Sequence, residues 1–185
     1  MKKYQIIYAD PPWKYRHCAS DNRKIENHYQ TMTAEELRNL KVPAENNSVI
    51  FMWVTAPKVS EAIDLLRAWK FDYRSCLVWD KQMIGLGYWS RVQHELIFVG
   101  VKGSIPPPAP DKRISSVIKV KRASHSDKPD YFRKMLDVWY PTYSKLEMFS
   151  RDHTPLFPKD GWDVFGLEDK NSIEFNVTNP QSESK

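Results

Sequence analysis

Residues 48–54 read SVIFMWV, a stretch of strand length that is apolar at every position after the serine. A strand with one face in water alternates apolar and polar side chains, so an unbroken run belongs to a strand covered on both faces. The stretch before residue 10, QIIYA, has the same character. Such strands need helices above and below the sheet, and the chain offers them. In PKVSEAIDLLRAW, Val59, Ala62, Ile63, Leu66 and Trp69 recur at helical spacing behind a proline suited to a first turn. KPDYFRKMLDVWY reads as another helix. TMTAEELRNL reads as a shorter one, opened by a Thr33–Glu36 capping box and ended by Pro43.

Further strands are expected in DYRSCLVWDK, HELIFVGVKG, KLEMF and GWDVFG. ISSVIKVKR reads as a partner strand with Ile118 and Val120 inward and Lys119 and Lys121 outward. Strand and helix alternate without internal repeats, which predicts an α/β fold with helices on both faces of the sheet. The 185 residues suit one core, expected over 1–166, with the polar stretch 167–185 as a tail. No 18-residue apolar run is present, and the apolar part of MKKYQIIYAD is too short for a signal-peptide core. Two cysteines, Cys18 and Cys76, make no disulfide framework. The expectation is a cytoplasmic protein without membrane contact. His17, Cys18 and His28 match no zinc-site spacing, so no metal is expected.

The net charge of +5 is concentrated: eight Lys/Arg stand against three Asp between 103 and 134, while the remaining 20 basic and 20 acidic residues cancel. That segment is either a phosphate-binding surface or a lysine-rich strand edge that resists aggregation.

Ligands of α/β sheets bind beyond the carboxyl ends of the strands. ADPPW stands at one such end and SRDH, residues 150–153, at another. Asp10 followed by Pro11 and Pro12 puts a carboxylate beside a carbonyl whose direction is fixed, because proline locks φ and carries no N–H. A carboxylate oxygen and a fixed carbonyl can accept from both N–H bonds of a planar amine, localising its lone pair. The Trp13 face could stack on a flat base. The stretch reads as a clamp for a planar amine such as the 6-amino group of adenine, or as a structural strand end with a buried tryptophan.

ADPPW, followed in order by HYQTMTAEEL, FMWVT, GLGYW, HELIFVGVKG, SHSDKPDYF and KLEMFSR, resembles the MT-A seventy-kilodalton family of adenine 6-amino methyltransferases. These are relatives of the catalytic subunit of eukaryotic mRNA methylase, and the compact chain resembles small bacterial or phage-type members. The resemblance runs from about residue 6 to 166. It implies a Rossmann-like methyltransferase fold with a mostly parallel sheet, in a permuted order with the catalytic strand before the cofactor strand. It implies S-adenosylmethionine as methyl donor. By the same resemblance Asp10 and the Pro11 carbonyl are the amine acceptors, stiffened by Pro12, with Trp13 as base contact and Asp10 also near the cofactor's ammonium. Tyr29 matches an aromatic of the loop after the motif. Glu147, Phe149, Arg151 and His153 match cofactor-side positions, and Trp89 lies in the second active-site loop.

The sequence departs from the larger members in three places. It has no counterpart of their segment before the first strand, which reaches the cofactor's adenine. It carries Leu167 and Glu168 where they place amides, of which Glu168 could still accept from ribose hydroxyls. His94 stands where they have a lysine.

The expected substrate is adenine in nucleic acid, DNA before RNA, flipped out or in a single strand. Tyr15, Tyr88, Trp89 and Arg91 interleave aromatic and basic character in the two loops, as strand-binding loops do. Lys119, Lys121 and Arg122 would hold phosphates. A homodimer or a partner subunit is compatible with so small a chain. Two other readings are a catalytically silent nucleic-acid-binding subunit, against which the intact DPPW speaks, and a methylase acting on a protein amide.

Overall fold

The computed structural model describes residues 2–15, 31–87, 89–121, 128–150 and 161–166. Among the described residues seven strands form one sheet: β1 (Tyr4–Ala9), β2 (Ala44–Val54), β3 (Asp72–Asp80), β4 (His94–Lys102), β5 (Val117–Lys119), β6 (Lys145–Met148) and β7 (Trp162–Phe165). Their order is β5-β3-β4-β2-β1-β6-β7. The pairings β1–β2, β1–β6, β3–β5 and β6–β7 are parallel; only β4, which returns directly from β3, runs against its neighbours. The mostly parallel α/β sheet is as expected.

The apolar run in β2 is explained by its two faces. Ile50, Met52 and Val54 point into a core with Leu37 of α1 (Ala34–Asn39) and with Ala62, Leu65 and Leu66 of α2 (Val59–Ala68). Val49, Phe51 and Trp53 point to the other side, onto Phe132, Met135 and Leu136 of α3 (Asp130–Trp139). β1 divides likewise, with Ile7 and Ala9 on the first face and Ile6 and Tyr8 on the second. The Thr33–Glu36 capping box forms as the sequence predicts, with both reciprocal hydrogen bonds made. Ile118 is buried and Lys119 and Lys121 are exposed.

The topology gathers chemistry at one end. β1, β2, β3, β5 and β6 all end there, and because β4 is antiparallel it begins there, with His94 opposite Asp80. Among the described residues no helix is long and apolar enough to cross a membrane.

Candidate active site

Asp10 follows the last residue of β1 and is anchored by its N–H, which donates to the Met148 carbonyl of β6 at 3.2 Å. Pro11 and Pro12 behind it are buried. Trp13 N–H donates to the Pro11 carbonyl at 2.9 Å, and Met32 N–H to the Pro12 carbonyl at 2.8 Å. The prolines leave no donor of their own, but the next residue supplies one to the very carbonyl expected to face an amine. A carbonyl oxygen has two lone pairs, so this bond fixes the Pro11 oxygen and occupies one of them.

Trp13 does not offer an open stacking face: it is 6% exposed and sits in the core with Met32, Leu37 and Leu40. Its Nε1 is buried without a hydrogen-bond partner among the described residues. Trp13→Ala is therefore expected to cost about 3–5 kcal/mol of stability, as large buried aromatics do, and thermal unfolding would register it. A variant as stable as the wild type would return Trp13 to a purely ligand-facing role.

The carboxylate of Asp10 is not solitary. Lys128, just ahead of α3, places its Nζ 3.3 Å from Asp10 Oδ2 and 3.0 Å from Glu95 Oε2, and 5.0 Å from the centre of the Trp53 ring. Lys81 Nζ meets the other Glu95 oxygen at 3.3 Å. Burial alone would push the Glu95 carboxyl up, but Lys128 and Lys81 outweigh it and hold the group below its ordinary value. Burial alone would likewise lower the Lys128 ammonium, and Asp10 with Glu95 raises it instead. Lys128 belongs to the basic segment 103–134, for which the sequence leaves a phosphate-binding surface and a solvated strand edge both open. It turns inward because two carboxylates wait there.

Glu95 and Lys81 also line a cleft of about 540 Å3, together with Tyr15, Thr55, Trp89 and His94. Tyr15 is fixed there by a 2.6 Å hydrogen bond between its hydroxyl and Thr55 Oγ1, with the Lys58 ammonium 5.1 Å from the ring centre. Asp10 is not a wall of this cleft; Lys128 links it to Glu95, which is. On the other side of Asp10, Glu147 of β6 is beside Tyr8 in register and ion-paired to Arg133 of α3 at 3.3 Å. Burial pushes the Tyr8 phenol well up, and the charges of Glu147 and Asp10 push it further. Phe149 is buried, packs on Phe165 and takes a left-handed φ of 64°, a strained state for a bulky residue.

The structure thus brings Asp10, Pro11, Pro12 and Trp13 to one end of the sheet with Tyr15, Trp89, Glu147 and Phe149. Arg91, Lys119 and Lys121 are exposed at the same end. The expectations for Tyr29, Tyr88, Arg122, Arg151, His153 and Glu168 fall outside the described residues. Glu95, Lys81 and the inward turn of Lys128 were missed. The signal for Glu95 was available: an acid at the head of HELIFVGV, an otherwise apolar strand, needs a partner or a function.

An acid-proline-proline turn at the carboxyl end of an inner strand, in a largely parallel sheet with helices on both faces, is the framework of a Rossmann-like methyltransferase. The chain matches the MT-A70 family over residues 4–168. It is 32% identical over 205 residues to "Type II methyltransferase M.MunI" of Mycoplasma sp, an alignment taking in 100% of this chain and 86% of that protein. It is 29% identical over 160 residues to the human "N(6)-adenosine-methyltransferase catalytic subunit METTL3", covering 82% of this chain and 26% of that one. A "Putative N(6)-adenosine-methyltransferase MT-A70-like" protein of Medicago truncatula is 31% identical over 161 residues, 82% of this chain and 24% of its own. The chain thus spans about a quarter of these two longer relatives. The chain belongs to the MT-A70 family. It is an S-adenosylmethionine-dependent adenine methyltransferase, the class that the ordered blocks from ADPPW to KLEMFSR led one to expect.

Proposed function

We propose that the protein methylates the 6-amino group of adenine in DNA, inside the cytoplasm, with Asp10 and the Pro11 carbonyl as the groups that hold the amine. The observation that carries this reading is the turn itself. Asp10 and Pro11 are consecutive at the strand end; the Asp10 N–H is bonded to the Met148 carbonyl, the Pro11 carbonyl accepts from the Trp13 N–H, and Lys128 Nζ lies 3.3 Å from the Asp10 carboxylate. DNA is favoured by the match to the Mycoplasma methyltransferase along all of this chain.

The donor set suits the cofactor. Asp10 just past the end of β1 would offer a carboxylate to a cationic amino acid moiety, and the Glu147–Arg133 pair on the adjoining strand β6 would stand beside it. When bound, S-adenosylmethionine supplies a methyl group on a good leaving group, its sulfonium sulfur. The protein's task is then alignment. Asp10 and the Pro11 oxygen accept from the two amine hydrogens, which aims the nitrogen lone pair outward along the line of displacement. With the methyl group supplied by the bound cofactor, the amine would be left with one surplus proton, which would pass to water, so Asp10 would orient the amine and need not act as a strong base. Orientation of this kind can supply about 7–11 kcal/mol in favourable cases. The purine would extend from Asp10 past the Lys128–Glu95 pair into the neighbouring cleft, which Glu95, Tyr15, Thr55 and Trp89 line.

The test is product identity. Wild-type protein with labelled cofactor and matched DNA and RNA, each single- and double-stranded, should give 6-methyladenine in DNA by mass spectrometry of the digested nucleosides. Label in RNA alone would move the substrate, and label on a protein glutamine or asparagine would remove the reading. Lys119 and Lys121 are exposed beside the site, so DNA affinity should fall with added salt by about 0.9 log units per log unit for each phosphate neutralised. Lys119→Ala/Lys121→Ala should lower that slope by about two. An unchanged slope in this variant would make these lysines a solvated strand edge.

A further inference from the structure

The β3–β4 connection projects from the same end of the sheet and carries the most exposed large apolar side chains of the described chain. Trp89, Leu86 and Ile84 are 103%, 83% and 74% exposed. A bare apolar tip on an otherwise charged protein marks an interaction site.

The tip is built rather than slack. Gln82 takes a left-handed φ of 54°, its N–H donates to Asp80 Oδ1 at 2.9 Å, and Gln93 Nε2 donates to the same oxygen at 2.8 Å. Further out, Lys81 N–H reaches the Gln93 carbonyl and Gly85 N–H the Val92 carbonyl, each at 3.0 Å. The two limbs touch only because glycines stand where they meet: a Cβ on Gly85 would lie 2.6 Å from the Val92 oxygen, and one on Gly87 2.1 Å from the Ser90 oxygen. Leu86 and Trp89 of this loop also line the 540 Å3 cleft and form its rim, whereas Ile84 stands outside it. Beside it runs β5, with Lys119 in register with Asp80 and Lys121 just beyond, both exposed, and Arg91 is exposed on the loop. Apolar residues flanked by cations match stacked bases flanked by phosphates.

We propose that this tip is a wedge for duplex DNA. Ile84 enters the base stack and fills the space that the target adenine leaves as it swings past the rim formed by Leu86 and Trp89 into the cleft, while Arg91, Lys119 and Lys121 hold the neighbouring phosphates. The inference rests on the reading of the cleft as the adenine site. A single strand would need only a stacking face; an exposed, braced apolar tip serves a base that must be extracted from a pair.

The experiment starts from the sequence that the wild type methylates in unmethylated bacterial genomic DNA. That sequence is made as a duplex with thymine opposite the target and as one with an abasic position there. Ile84→Ser is expected to lose about tenfold in turnover of the paired duplex and to recover to within about threefold of the wild type on the abasic one. Equal loss on both duplexes, or no loss on the paired one, overturns the wedge. So does an intact paired turnover accompanied by a shift from dimer to monomer in sedimentation, which would make the tip a contact between copies. Wild-type activity on single strands alone overturns the wedge and leaves the reaction standing; no activity on any DNA overturns the wedge together with the DNA reading beneath it.

Discussion

Asp10→Ala is expected to leave a folded protein whose methyl transfer to adenine has dropped by at least about a hundred- to thousandfold, the usual result of removing one positioned hydrogen-bonding group from a reacting centre. Asp10 holds one end of the clamp, and no neighbouring acid can replace it: Glu95 lies on the far side of Lys128, and Glu147 is paired with Arg133. The fold should tolerate the change, because Asp10 lies past the end of β1 and its backbone bond to Met148 does not involve the side chain. Asp10→Asn keeps one acceptor oxygen but loses the charge, and should fall between the two. Mass spectrometry of digested substrate reads the activity and near-ultraviolet circular dichroism reads the fold. Full turnover by the alanine variant would remove Asp10 from the chemistry.

Lys128→Met is expected to have the second largest effect, on stability and on pH dependence together. The substitution leaves the carboxylates of Asp10 and Glu95, each of which had Lys128 within 3.3 Å, without the cation between them. The three side chains are about a fifth exposed, so the loss should be about 1–3 kcal/mol, less than for a fully buried pair. The sign of the pH effect follows from the shifts. Glu95 is depressed in the folded protein, so its contribution is present above its unfolded pKa of about 4.3 and is lost as pH falls through the folded value. Lys128 is raised, so its contribution is present below its unfolded pKa of about 10.4 and is lost as pH rises through the folded value. The network is therefore intact through the neutral range. Without Lys128 the Glu95 carboxyl loses the stronger of the two cations that hold it down and protonates more readily, so the acid limb of the pH–rate profile should move to higher pH. An unmoved limb in the methionine variant would show that Lys128 does not act on the Glu95 carboxylate during turnover.

The layers of the fold could be read directly from side-chain period. SVIFMWV has no polar alternation because both faces of β2 are covered, and the Thr33–Glu36 box opens α1 as its spacing requires. The strand end carrying Asp10 was legible too, since consecutive prolines stop a ladder. What composition could not show is direction. A count of charge over 103–134 treats Lys128 like Lys119 and Lys121, yet one turns inward to two carboxylates and the others face water. Trp13 shows the same limit. An aromatic after DPP suits stacking on a base or filling a core equally well, and the placement of Met32 and Leu37 decides for the core in this structure. Glu95 escaped because its partners, Lys81 and Lys128, are 14 and 33 residues away along the chain.

The central claim is geometric, and a crystal structure with S-adenosylhomocysteine and an adenine nucleotide tests it most directly. The account predicts the 6-amino nitrogen within about 3 Å of both an Asp10 carboxylate oxygen and the Pro11 carbonyl oxygen, with the cofactor sulfur on the opposite side of that nitrogen. A purine seated with its amino group turned away from Asp10 would contradict it.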